Sequence, residues 1–314
     1  MHSAGGRSRR LLRGPRVVIL QHVGQGDALH RLPDGVFDLV VRPFQDRLDV
    51  LRHGARTFAA GVDADEGGQA VRLQRIVDLV QGDLLRRPAQ LRAPGPPGHR
   101  DEPGLFQGAE DVAVIAVPSY GGRVPGPAVE RLSALKGNGA RAVLMCVYGN
   151  RAYEDTLLEL GDTARQAGFR ITAAVAALAE HSIAHRYAAG RPDAQDEEQL
   201  RQFAGQIREK LTSGVDTEPN LPGNHPYRAF SSMGMVPKPT RACNRCGLCA
   251  EQCPVQAIDR KDPKQTDKTR CISCMRCAAI CPRSARKLSP LLVMAANFAL
   301  KKACSDRKEG ELYL

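Results

Sequence analysis

Eight of the ten cysteines in this 314-residue chain lie in two runs of identical spacing near its C-terminal end. Within each run, gaps of two, two and three residues separate the cysteines, and a proline follows the fourth. Thiolates are soft ligands that suit iron–sulfur clusters and zinc. In proteins that carry two cubane clusters, this spacing lets three cysteines bind one cluster while the fourth binds the other. The runs therefore predict two [4Fe-4S] clusters and electron transfer.

The spacing also predicts which cysteines share a cluster. Three closely spaced sulfurs converge from one loop, whereas the fourth points away toward the other cluster. We expect cluster one to be held by Cys243, Cys246, Cys249 and Cys281. We expect cluster two to be held by Cys271, Cys274, Cys277 and Cys253.

The cysteine runs allow two other interpretations. Zinc ribbons use two separate CxxC pairs, so a run of four cysteines favours clusters over zinc. A second alternative is that the clusters only stabilise the fold. A pair of clusters is what an electron relay needs, whereas stabilisation of the fold does not require the pair. Cys146 lies in an apolar run and is predicted to be a buried small hydrophobe. Cys304 receives no role.

Composition excludes several classes of protein. No apolar run approaches the roughly 20 residues that span a bilayer, and residues 291–300 are predicted to form a short packed helix. The N-terminal apolar stretch is too short for a secretory signal, so a cytoplasmic location is expected. Aromatic residues make up only 4% and Trp is absent, which disfavours nucleic-acid stacking. The net charge of +11 indicates either a solvated basic face or a docking surface for an acidic redox partner.

The middle of the chain alternates strand and helix signals. Buried strands are predicted at 112–117, 142–147 and 170–175, and helices after Pro127, at 152–167 and from the cap Asp193 to Leu211. Continuous apolar strands separated by helices predict a parallel sheet covered on both faces. The expected fold class is α/β, with a partial doubly wound sheet followed by a small α+β cysteine domain.

The expected domains follow from these patterns. Residues 1–108 are unassigned, 109–213 form the α/β domain, 214–240 a linker, 241–288 the cysteine domain and 289–314 a C-terminal helix and tail. Residues 1–108 contain Arg but no Lys, and Lys first appears at position 136. Two interpretations stay open: translation from a wrong reading frame, or a genuine divergent or disordered extension. Weak strand signals occur at 17–20 and 36–41.

Two loops after the predicted strands have the composition of a flavin site. Ligands of open α/β sheets bind beyond the carboxyl ends of the strands. Glycines let the backbone approach a planar ring, tyrosines could sandwich it, and an amide could bond its polar edge. The candidate residues are Ser119, Tyr120, Gly121, Gly122, Tyr148, Gly149, Asn150 and Tyr153. The alternative is that Tyr120 and Tyr148 simply cap the sheet.

Several of these motifs together resemble a known family. The stretches 118–125, 148–153, 180–182 and 190–193, with both cysteine runs, are similar to flavodoxin-like domains fused to a C-terminal 2[4Fe-4S] ferredoxin. The resemblance covers roughly the last two thirds of the chain. It implies an FMN and electron transfer between that flavin and the clusters.

One departure from the family pattern lies at the N-terminus. The family opens with a strand and a Thr-Gly-Asn-Thr loop that cradles the FMN phosphate, and no such segment exists here. Residues 22–27 follow an apolar run but lack the hydroxyl groups. The flavodoxin half is therefore atypical or missing. An electron carrier is expected rather than a stand-alone enzyme; the alternatives are a maturation or interaction module whose α/β half binds a protein, or an enzyme component.

Overall fold

The computed structural model describes residues 111–230 and 234–314, residues 106, 108 and 109, and the backbone of two short N-terminal strands. These strands are β1 (Arg16–Ile19) and β2 (Val40–Val41), which pair antiparallel. β1 overlaps the weak strand signal at 17–20, and β2 covers only the last two residues of the signal at 36–41. The candidate phosphate segment at 22–27 lies outside the described residues.

The centre of the molecule is a parallel sheet built from the predicted apolar runs. Strands β3 (Val112–Pro118), β4 (Arg141–Tyr148) and β5 (Arg170–Leu178) lie side by side, and β1 pairs parallel with β3. Nearly all residues of β3 to β5 are buried. Strands buried on both faces are apolar throughout, as the sequence predicted.

Helices cover the two faces of this sheet. Alternate β3 residues, including Ile115, pack beneath α1 (Gly126–Ser133) and α2 (Thr156–Gln166). The opposite β3 residues, including Val114, pack against α3 (Ala194–Ser213). The alternation of side chains along a strand divides the core into these two layers.

Helix boundaries follow local capping signals. Asp193 begins α3 with a capping box that it shares with Asp196, and Gly214 ends it in the left-handed conformation with φ of 74°. The predicted start of α2 at residue 152 was wrong. Asn150 and Glu154 have φ of 64° and 42°, so the chain is still turning and the helix begins at Thr156.

The cysteine segment contains little regular structure. It has strands β6 (Lys238–Pro239) and β7 (Arg286–Lys287), which pair antiparallel, and one-turn helices α4 (Leu248–Glu251) and α5 (Arg276–Ala279). Its hydrophobic core is small and centres on Ala250, Ala257 and Ile258. Few apolar residues are therefore available to hold this segment together without a cofactor.

The C-terminal segment returns to the α/β sheet. Helix α6 (Pro290–Cys304) is followed by β8 (Glu311–Tyr313), which pairs antiparallel with β5. The sheet order is β2-β1-β3-β4-β5-β8. Where the sequence predicted a helix and a tail, the tail forms an edge strand. None of the helices in the described parts has the length and apolarity that a bilayer crossing requires.

Candidate iron–sulfur site

The two cysteine runs adopt the same backbone path. Two residues after the first cysteine, Arg245 and Ser273 have positive φ of 61° and 54°. Two residues further, Gly247 and Met275 have φ of 85° and 58° and precede α4 and α5. Residues other than glycine rarely adopt a positive φ. Its repetition at matched positions shows that the two cysteine runs follow the same backbone path.

The fourth cysteine of each run accepts a backbone hydrogen bond. The amide of Ala257 donates to Cys253 Sγ, and the amide of Ala285 donates to Cys281 Sγ, both over 3.2 Å. Hydrogen bonds to sulfur stabilise negative charge on it, and they tune cluster potentials in iron–sulfur proteins. The sulfur of the fourth cysteine in each run therefore already has a backbone hydrogen-bond donor.

A small cavity gathers cysteines from both runs. Its lining includes Cys253 from the first run together with Cys271, Cys274 and Cys277 from the second. All eight cysteines are free thiols, so none is consumed by a disulfide. In the described parts of the chain, no three His, Cys, Asp or Glu side chains converge tightly enough to hold a single metal ion. The donor set of four cysteine thiols fits a thiolate-bound cluster.

Burial shifts the acidity of these thiols. Desolvation raises the pKa of Cys274 to about 11 and that of Cys277 to about 12. Burial also raises the pKa of Cys271. Without a metal these thiols stay protonated at neutral pH, and binding of a cluster would release their protons.

The first predicted flavin loop lies beside the second cysteine run. Burial raises the pKa of Tyr120 well above its usual range; Cys274 adds to the shift and Arg276 opposes it. The Ser119 hydroxyl shares a 2.7 Å hydrogen bond with Thr156. Gly121 and Gly122 have φ of 62° and 82°, so the glycines serve the turn itself. The fold thus places the end of β3 next to a predicted cluster ligand.

The second predicted flavin loop contacts the C-terminal segment instead. The Asn150 side chain donates to the carbonyl oxygens of Cys304 and Asp306, 2.9 Å away in both cases. The Tyr153 hydroxyl bonds Tyr313 over 2.6 Å. Tyr148 is buried edge-on against Tyr153, with ring centres 5.1 Å apart. These polar groups already have partners within the chain.

Glycine in this loop also serves close packing within the protein. A Cβ placed on Gly149 would come within 2.7 Å of His181 Cα. The close approach that the sequence assigned to a flavin ring is made here by the backbone at His181.

One residue at the cysteine site was missed by sequence reasoning. Arg286 is buried and its Nε donates to Cys249 Sγ over 3.3 Å. Aligning the two runs reveals it: Ala257 and Ile258 follow Cys253 at the same distances as Ala285 and Arg286 follow Cys281. In that comparison Arg286 stands out, because it is charged where the first run has Ile258.

Comparison with known proteins identifies the cysteine segment. Residues 242–286 match the protein family described as 4Fe-4S dicluster domain. The chain is also 36% identical over 55 residues to a trichloroethene reductive dehalogenase of Dehalococcoides mccartyi, a match that covers 13% of this chain and 10% of that protein. No solved structure matches. The C-terminal part is therefore a ferredoxin-type 4Fe-4S domain, preceded by a mixed α/β domain with a mainly parallel sheet.

Proposed function

We propose that this protein passes single electrons through two [4Fe-4S] clusters. Cluster one is held by Cys243, Cys246, Cys249 and Cys281, and cluster two by Cys271, Cys274, Cys277 and Cys253. The observation that carries the proposal is the cavity that joins Cys253 of the first run to three cysteines of the second. This is the crossed ligand set that two-cluster ferredoxins use.

The chain's own groups determine how a cluster would be held. When bound, a [4Fe-4S] cluster supplies a one-electron couple. The amides of Ala257 and Ala285 donate to ligand sulfurs and favour their negative charge. Cys274 and Cys277 are half-buried, and desolvation raises the pKa of both thiols. Both effects tune a reduction potential through hydrogen bonding and burial.

The α/β domain carries the flavin part of the proposal. The order β2-β1-β3-β4-β5 is that of flavodoxin-like sheets, although β2 is antiparallel here. We propose that an FMN lies at the carboxyl ends of β3 and β4, on the 119–122 loop. Tyr120 lies beside Cys274, so a flavin there would face cluster two.

A second candidate function has its own support. The polar groups of Asn150 and Tyr153 bond the C-terminal segment and leave little to hold a flavin edge. This favours an α/β half that binds a protein rather than a flavin, as in a cluster-bearing interaction module. In either case an acidic redox protein suits the basic chain.

The domain division belongs to the proposal as well. We assign 109–213 to the α/β domain, 214–240 to a linker and 241–288 to the ferredoxin domain. Residues 289–314 continue from the ferredoxin domain back to the sheet, since β8 pairs with β5. Residues 1–108 are assigned to no domain, although β1 within them pairs parallel with β3 of the sheet.

Anaerobic purification tests the clusters. Two [4Fe-4S] clusters require about eight iron and eight sulfide per chain. Cys253→Ala and Cys281→Ala should each remove one cluster, and Cys304→Ala, outside both runs, should remove none. Zinc without iron, or an effect of Cys304→Ala equal to the others, would contradict the proposal.

Flavin extraction separates the two candidate functions. Acid-treated holoprotein should release FMN, detected by fluorescence, if the 119–122 loop holds it. Release of no flavin from a protein with full iron content favours the interaction module. The full-length protein is used in both measurements.

A further inference from the structure

The matched halves of the ferredoxin domain differ at one buried position. Ile258 lies five residues after Cys253, and Arg286 lies five residues after Cys281. Their exposed fractions are 4% and 3%. The same place in the repeat therefore holds an apolar side chain in one half and a permanent cation in the other.

The Arg286 guanidinium is held by neutral groups and one sulfur. Its Nη1 donates to the Pro237 carbonyl and the Thr266 hydroxyl, both over 3.1 Å, and its Nη2 donates to the Pro263 carbonyl. Its Nε donates to Cys249 Sγ over 3.3 Å. Among the described residues it forms no ion pair with a carboxylate. A buried charge without a counter-charge is costly. Cluster thiolates would supply that counter-charge.

Arg286 lies between the two predicted cluster sites. It bonds Cys249, a predicted ligand of cluster one, and it also lines the cavity that contains Cys253 and Cys271. A nearby cation favours whichever redox state is more negative, and the reduced cluster carries one more electron than the oxidised one. The direct N–H···S bond adds to this effect at Cys249 alone.

We propose that Arg286 is a positioning residue that raises the reduction potential of cluster one above that of cluster two. The inference rests on the proposed two-cluster function and adds an order to it. The first electron from a reductant enters cluster one, and the second enters cluster two. Ile258 offers no charge at the matching position, so the two halves of the domain are not electrically equivalent.

An anaerobic titration with dithionite and redox mediators, followed by EPR, tests this order. The wild-type chain is expected to show two separated one-electron steps. Arg286→Gln keeps hydrogen-bond donors but removes the charge. At a fixed potential, this variant should lower the ratio of reduced to oxidised cluster in the first step at least tenfold. That change corresponds to a fall of about 59 mV in the reduction potential of a one-electron couple. Arg286→Lys keeps the charge and should retain most of the separation.

Arg283→Gln is the matched control. Arg283 lies on the same segment but is exposed, and within the described parts of the chain its side chain donates only to the Ala242 carbonyl, over 3.3 Å. Its removal takes the same charge from the chain without touching a cysteine, so both steps should stay in place. Iron and sulfide are counted in every sample, so that a shifted potential is compared at equal cluster content.

The outcomes separate the inference from the proposed function. Unchanged steps in Arg286→Gln with full iron content overturn the inference and leave the two-cluster function standing. Wild-type protein without iron overturns the function itself. Should neither variant assemble both clusters, the wild-type chain is compared with Cys253→Ala, which is expected to keep cluster one alone. A remaining step at the higher wild-type potential supports the inference, and a remaining step at the lower potential, or coincident wild-type steps, overturns it.

Discussion

The side-chain amide of Asn150 donates to the main-chain carbonyl of Cys304, 154 residues further along the chain, over 2.9 Å. The same amide reaches the Asp306 carbonyl, and its oxygen accepts from the Lys308 amide over 3.3 Å. One buried side chain at the end of β4 thus holds the turn that leads from α6 into β8. The C-terminal segment is attached to the sheet by side-chain bonds as well as by strand pairing.

Replacing Asn150 should therefore weaken the whole α/β domain. Asn150→Ala removes three hydrogen bonds worth about 1 kcal/mol each and places Ala at positive φ, which costs about 1 kcal/mol more. Asn138→Ala is the control, because exposed Asn138 also has positive φ of 50°, and among the described residues its side chain bonds only the Phe106 carbonyl. Anaerobic urea unfolding should place the Asn150 variant about 2 kcal/mol below the control. Equal losses in both would show that the C-terminal bonds contribute nothing.

The tyrosine pair Tyr153 and Tyr313 should contribute to the attachment of β8. Tyr313→Phe removes the hydroxyl that bonds Tyr153 over 2.6 Å, and we expect a loss of about 1 kcal/mol in unfolding free energy. Leu314→Ala, at a side chain that is 45% exposed, should change stability by less than about 0.5 kcal/mol. Thermal unfolding of the holoprotein checks both. A larger loss of stability in Leu314→Ala than in Tyr313→Phe would mean that the tyrosine pair does not hold β8 to the sheet.

Stability should fall between pH 7.5 and 5.5 through His181. Burial lowers its pKa to about 4, and the charges of His185 and Arg151 add to the shift. Its Nδ1 accepts from the amides of Ile183 and Ala184 over 3.1 Å, which requires the neutral ring. Over this pH window the unfolded His, with a pKa near 6.5, takes up a proton that the folded His181 does not. Stability therefore decreases as pH falls. The loss is about 1.4 kcal/mol over this window.

The His181 dependence is measured with urea unfolding at several pH values. His181→Gln should remove the slope over this window. His185→Gln, at a side chain that is 67% exposed, should keep it. A slope that survives in His181→Gln would assign the dependence to another group.

Removing the clusters should unfold one part of the chain and spare another. The ferredoxin domain has a small core around Ala250 and Ile258, whereas β3, β4 and β5 are almost fully buried between helices. After iron chelation, hydrogen exchange should become fast at residues 242–286 and stay slow in the three central strands. Untreated holoprotein is the reference. Loss of protection in β4 would mean that the two domains unfold together.

Local patterns in the sequence predicted much of this architecture. The apolar runs of β3, β4 and β5 fix buried strands because a continuous run has no polar face to expose. Asp193 was predicted to cap α3 and does so, because its side chain accepts from backbone amides within one turn. The helix runs to Ser213, two residues past the predicted end at Leu211, and Gly214 ends it. The cysteine spacing likewise predicts its chemistry, since the residues that wrap a cluster lie close together along the chain.

Other features were decided only by the tertiary structure. The sequence assigned Asn150 to a flavin edge, but residues more than 150 positions away bring carbonyl groups to it. The tail became strand β8 because the free edge of β5 offered backbone partners, and three residues carry no such signal by themselves. Alignment of the two cysteine runs marks Arg286 as the charged residue of a matched pair, but only the folded chain shows that it is buried and donates to Cys249. Composition and spacing report what a segment can form, whereas contacts between distant segments decide which groups remain available for function.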